Sequence, residues 1–77
     1  MKSVLVPLAP GFEEIETITV VDILRRSGAR VSIAGIVAGV IEGSRGVKLL
    51  ADESIDNIKS ERFDLMVLHG ANQERII

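Results

Sequence analysis

The apolar residues of this chain come in short dense runs separated by turn residues, with one longer stretch spaced as a helix. Residues 3–8, SVLVPL, are rich in Val and Leu, as a strand covered on both faces requires. Pro7 cannot donate to a sheet ladder and is expected at the strand's carboxyl end, where pairing lapses. Pro10-Gly11 turns the chain, and residues 13–27 then predict a helix. Three glutamates open it and two arginines close it, complementing the helix dipole, and Gly28 stands where a C-cap glycine belongs. Its apolar positions (Ile15, Ile18, Val20, Val21, Ile23 and Leu24) are too spread for one narrow stripe, so the helix is expected to be covered on two sides.

Residues 30–37, RVSIAGIV, predict a second strand, parallel to the first through a right-handed crossover. Val40-Ile41 and the run 47–50 flank Gly43-Ser44-Arg45-Gly46, the pattern of a hairpin. Residues 52–59 are polar with Ile55 and Ile58 three apart, which fits a short helical turn. Residues 63–68 predict a last strand, apolar on both faces in Leu65, Met66, Val67 and Leu68, and so suited to the interior of a covered sheet. This order predicts an α/β fold with an incomplete parallel sheet: a strand-helix-strand unit, a hairpin and a final buried strand. Such a strand ordinarily leads into a helix and another strand, so residues 1–77 are expected to form one partial domain, the N-terminal half of a larger unit.

Composition narrows the function classes. A domain of 77 residues buries only about 60% of its unfolded surface. With Phe12 and Phe63 as the two aromatics, the core must be aliphatic. A net charge of -2 argues against nucleic acid as a partner. The absence of cysteine excludes disulfides, thiolate metal sites and a cysteine nucleophile within these residues. The opening MKSVLVPLAP is too short an apolar run for a signal peptide, is broken by Pro7 and leads into acids. No run approaches the roughly 20 apolar residues that span a bilayer, so a cytoplasmic protein without a membrane partner is expected. Gly43 and Gly46 lack phosphate-loop spacing, and neither a cofactor nor a metal is expected.

Candidate chemistry concentrates after the first strand, at Gly11, Glu13, Glu14 and Glu16. Ligands of open α/β sheets bind at the carboxyl ends of strands, and a glutamate there can hydrogen-bond a nucleophile or shuttle a proton. The same acids also serve simply to satisfy the helix dipole. Asp22 and Arg26, four apart, can pair. Alternatively Arg25 and Arg26 form an anion-binding patch with Arg45, which protrudes from its turn. His69, the one histidine, follows a strand end, but no serine shows a nucleophile-elbow pattern to go with it. Gly70 can turn backbone N–H groups toward a ligand, as an oxyanion hole requires, or can be a plain turn glycine.

The segments VLVPLAPGFEEIETITVVDILRRSG, RVSIAG, GSRGVKLLAD and FDLMVLHG, in this order, resemble the N-terminal half of the ThiJ/PfpI (DJ-one) superfamily from residue 2 to about residue 70, leaving 71–77 unmatched. The resemblance implies a flavodoxin-like fold, commonly homodimeric, in a family of deglycases, glyoxalases, chaperones and peptidases. It implies that Glu16 is the glutamate that hydrogen-bonds the reactive cysteine, with Glu13 and Glu14 facing solvent. It implies that Arg26 and Arg45 lie near that site or the dimer interface, and that Gly70 contributes backbone to the oxyanion hole. The family's LPGG stands here as Leu68-His69-Gly70-Ala71, and its cysteine would lie beyond Ile77. The chain is therefore expected to be inactive alone. It is expected to self-associate or to pair with a separately encoded C-terminal half.

Overall fold

The computed structural model describes residues 2–58 and 60–68 of the chain. Strand β1 (Ser3–Leu8) is followed by helix α1 (Glu14–Arg26) and strand β2 (Arg30–Gly35). A pair of two-residue strands follows, β3 (Ile41–Glu42) and β4 (Lys48–Leu49), then β5 (Glu53–Ser54), the single-turn helix α2 (Ile55–Ile58) and β6 (Leu65–Met66). The main sheet is parallel throughout, in the order β5-β2-β1-β6, and β3 and β4 form a separate antiparallel pair. The chain thus steps from β1 to one side through α1 and later returns to β1's other side. That reversal places the switch point at the carboxyl ends of β1 and β6.

The alternation along β1 explains both its burial and its pairing. Lys2 and Leu8 carbonyls accept from Arg30 and Ile36 on the β2 side, whereas Ser3 and Leu5 carbonyls accept from Asp64 and Val67 on the β6 side. Even positions therefore bond toward β2 and odd positions toward β6. Pro7 is odd, so its missing N–H falls on the β6 side, while pairing with β2 continues through Pro7↔Ala34 to Leu8↔Gly35. The expected lapse at Pro7 is one-sided.

Both faces of β1 are covered. Val4 and Val6 pack with Val31 of β2 and Val21 of α1, with Leu24 beside them. Leu5 packs on the opposite face with Ala34 and with Ile58 of α2. At the carboxyl end Leu8, Phe12 and Ile41 form a third cluster, which joins the loop after β1 to the β3-β4 pair.

Three expectations change. The buried stripe of α1 consists of Glu14, Thr17 and Val21, with Leu24 half-buried, while Ile15, Ile18 and Ile23 are exposed. Among the described residues α1 is covered on one side, because the sheet approaches it only there. The last strand is two residues long and not buried: Leu65, Met66 and Leu68 are each more than half exposed at the sheet's edge. No described element packs over them. Finally β5, not expected at all, extends the sheet beyond β2 through Ala34↔Glu53 and Gly35↔Ser54.

Phe12 is fully buried and Ile15 is 81% exposed, three residues away. Phe12→Ala is expected to cost about 3–5 kcal/mol in urea unfolding, near the whole stability of a domain this small. Ile15→Ala should stay within about 0.5 kcal/mol. Equal midpoint shifts for the two would contradict the packing described.

Candidate functional site

The loop 9–13 leaves the carboxyl end of β1 and is tied down by its backbone. Gly11, with φ 84, donates its N–H to the Glu42 carbonyl (2.9 Å), and the Phe12 carbonyl accepts from Ser44 (2.9 Å). Phe12 fills the cluster beneath. Loop, β3 and the 43–47 turn are therefore one unit at the switch-point end of the sheet.

Glu14, the first residue of α1, points into this unit. Its carboxylate accepts hydrogen bonds from the Arg45 N–H (2.7 Å), the Val47 N–H (3.2 Å) and the Ser44 hydroxyl (3.2 Å). Burial pushes its carboxyl up, but hydrogen bonds from its own N–H, from Arg45 and Val47 and from Ser44 outweigh that, and the group sits below the usual glutamate range. Gly43 is required by the same contact. A Cβ there would lie 2.5 Å from Glu14 Oε2, so only glycine leaves room for the carboxylate. Gly46, with φ 89, supplies the left-handed turn residue.

The expectation that Glu14 faces solvent is thus corrected. Of the acids at the start of α1, Glu14 is buried, Glu13 half-buried and Glu16 exposed. The reason is helical geometry: at 100° per residue Glu14 falls on the stripe of Thr17, Val21 and Leu24, and Glu16 falls well off it. The 3-4-3 spacing back from Leu24 was the available signal, masked by the habit of reading first-turn acids as dipole partners.

Arg45 is exposed on its turn, beside the amino end of α1. Arg26 is exposed on the last turn and pairs with Asp22 (Nε to Oδ1, 3.3 Å). Residues 14 and 26 are about 18 Å apart along the helix axis, so Arg26 and Arg45 do not form one patch within this chain. Arg25 instead carries the stronger tie, donating to the Val31 carbonyl (2.9 Å) and to Asp52 (3.0 Å). Gly70 and His69 lie outside the described residues, as does the 71–77 segment. Among the described residues no cluster of His, Cys, Asp or Glu could hold a metal ion, and no helix is long and apolar enough to cross a membrane. A cavity of about 360 Å³, lined by Lys2, Val4, Leu24 and Leu65, opens at the amino ends of β1 and β6, away from the switch point.

Comparison with known proteins agrees with this geometry. The chain matches the DJ-1/PfpI family over residues 2–76, which takes in most of the tail beyond residue 70. It is 47% identical over 70 residues to Protein dj-1beta of Drosophila melanogaster, covering 90% of this chain and 37% of that protein. It is 33% identical over 70 residues to the glutathione-independent glyoxalase DJR-1.2 of Caenorhabditis elegans (90% and 38% covered). With deglycase TK1284 of Thermococcus kodakarensis the identity is 31% over 74 residues (96% and 45% covered). The structure of oxidized Toxoplasma gondii DJ-1 superimposes with a TM-score of 0.90 at 36% identity, over 95% of this chain and 40% of that one. The chain thus spans less than half the length of these relatives. Its sheet order, its switch-point loop and its sequence make the chain a member of the DJ-1/PfpI family.

Proposed function

We propose that these residues form one wall of a thiol-dependent glyoxalase- or deglycase-type site, and that the 77-residue chain, having no cysteine, is silent by itself. The observation that carries this reading is the acidic loop and arginine-bearing turn fastened together at the carboxyl end of β1, in a chain whose relatives include proteins named as a glyoxalase and a deglycase. In this reading Glu16 meets a thiol supplied from outside these 77 residues and carries or returns its proton. Arg45, and Arg26 from a neighbouring copy, offer cations to anionic groups of the substrate, and Gly70 offers backbone N–H to a developing oxyanion. A cytoplasmic location goes with it, since a reactive thiolate stays reduced there.

A second reading is favoured by a separate observation. Leu65, Met66 and Leu68 at the sheet edge, and Ile15, Ile18 and Ile23 on α1, are exposed apolar surface. An edge strand with unpaired backbone groups is a template for another chain. A non-catalytic module that self-associates or binds a C-terminal half-domain fits that surface.

The purified chain is expected to consume methylglyoxal no faster than buffer. Turnover above that rate, abolished by Glu16→Ala, would refute the silence of the chain alone. Supplied with a cysteine-bearing C-terminal half, the complex should turn over, and Glu16→Ala should then lower the rate by about 10²-fold or more. Sedimentation of the chain alone at low micromolar concentration should show association. A cooperative, monodisperse monomer would overturn the second reading.

A further inference from the structure

The cradle around Glu14 is built as an anion site. Two backbone donors two residues apart, the Arg45 and Val47 N–H groups, and the Ser44 hydroxyl converge on one carboxylate, as donors of backbone nests do on bound anions. Gly43 and Gly46 remove the side chain and the conformational obstacle that would close it. The turn's other ties are backbone bonds: Gly43 N–H to the Val47 carbonyl (2.8 Å), Gly46 N–H to the Gly43 carbonyl (3.1 Å) and Ser44 N–H to the Phe12 carbonyl (2.9 Å). In a five-residue turn between two-residue strands, none of these backbone ties holds the Arg45 N–H itself.

We propose that Glu14 is the positioning residue of the candidate site: as a carboxylate it fills the cradle of the 43–47 turn and thereby fixes where Arg45 is presented. Neutralising it empties the cradle of its anion. The N–H groups of Arg45 and Val47 then lose their charged acceptor and keep at most a weaker neutral one, and Arg45 loses its fixed place, while the β1-β2 ladder is untouched. Only the consequence for chemistry rests on the reading of Arg45 given above.

The sign of the pH dependence follows. The folded-state carboxyl lies below its unfolded value, so the clamp is fully present above the unfolded value and is lost as pH falls through the folded one. The charged groups on the elements around Glu14 are Arg45 on the turn, Glu42 on β3, Lys48 on β4, and Glu13 and Glu16 on its own helix end. Three of these are also carboxyls, so a variant must assign the transition.

The test is amide NMR on the 77-residue chain from pH 7 to pH 2.5. The Arg45 and Val47 amide shifts should titrate together, with a midpoint below the ordinary glutamate range. In Glu14→Gln that titration should vanish, and exchange of both amides at pH 7 should quicken at least about tenfold. The Arg30 and Ile36 amides, which bond β2 to β1, should keep their protection. Sodium formate, entering the cradle of Glu14→Ala, should restore protection at Arg45. A flat Arg45 shift in the unsubstituted chain overturns the proposal, even if both variants fail to fold. Equal acceleration at Ile36 also overturns it, because Glu14 would then be a general stabiliser. If the clamp is confirmed but Glu14→Gln leaves the complemented complex fully active, the clamp stands and Arg45's part in the chemistry falls.

Discussion

The structure depends on β1 having something to do on all four of its sides. Its even residues bond to β2 and its odd carbonyls to the β6 side, while Val4 and Val6 face α1 and Leu5 faces α2. A strand in that position must be apolar at nearly every residue, which SVLVPL is. It also sets the register of everything else: β2 along its whole length, β6 through Val4 and Leu5, and the loop 9–13 by the direction in which it ends. The one residue that breaks the rule, Pro7, sits where the missing donor faces the shorter partner.

Beside this apolar register run two polar fasteners of the same design. Asp52 donates its N–H to the Ile33 carbonyl and accepts the Ile33 N–H on its side chain. Asp64 does the same with Ser3, donating to its carbonyl and accepting its N–H. Each aspartate thus completes a ladder rung one residue before a two-residue strand begins. The hydrogen bonds from Ser3, backbone first, hold the Asp64 carboxyl below its usual range. Being exposed, such bonds carry little stability each. Their effect is geometric, because they align strands too short to align themselves.

How much of this was legible in the sequence follows from length. The strand-helix-strand unit was readable because six to thirteen residues carry a period. The hairpin was readable from GSRG alone. β5 was not, because Glu53 and Ser54 have neither period nor strand propensity and pair only because Asp52 delivers them. The last strand showed its character but not its setting: Leu65 to Leu68 read as interior residues, yet among the described residues only Val67 packs on the core, and Leu65, Met66 and Leu68 stay exposed. At the site, the turn and the acidic helix start were each visible, but their contact spans some thirty positions of sequence, and a lone carboxylate announces no partner. Its place on the buried stripe was countable. What it holds was not.

The two ends of α1 show why the buried residue and the exposed functional candidates come in neighbouring positions. A helix start favours acids and a helix end favours bases, so charge alone does not say which acid or which base matters. Position on the wheel decides it. At the amino end Glu14 turns inward and fastens the helix to the 43–47 turn. At the carboxyl end Arg25 reaches Val31 and Asp52 and fastens it to β2. Glu16 and Arg26, one or two residues along, are carried outward by the same geometry. With both ends of a thirteen-residue helix anchored, neither can rotate about the axis without breaking a tie, so the outward residues are held in a fixed direction although they are exposed. The buried acid at one end and the tied base at the other orient the helix, and Glu16 and Arg26 beside them face outward.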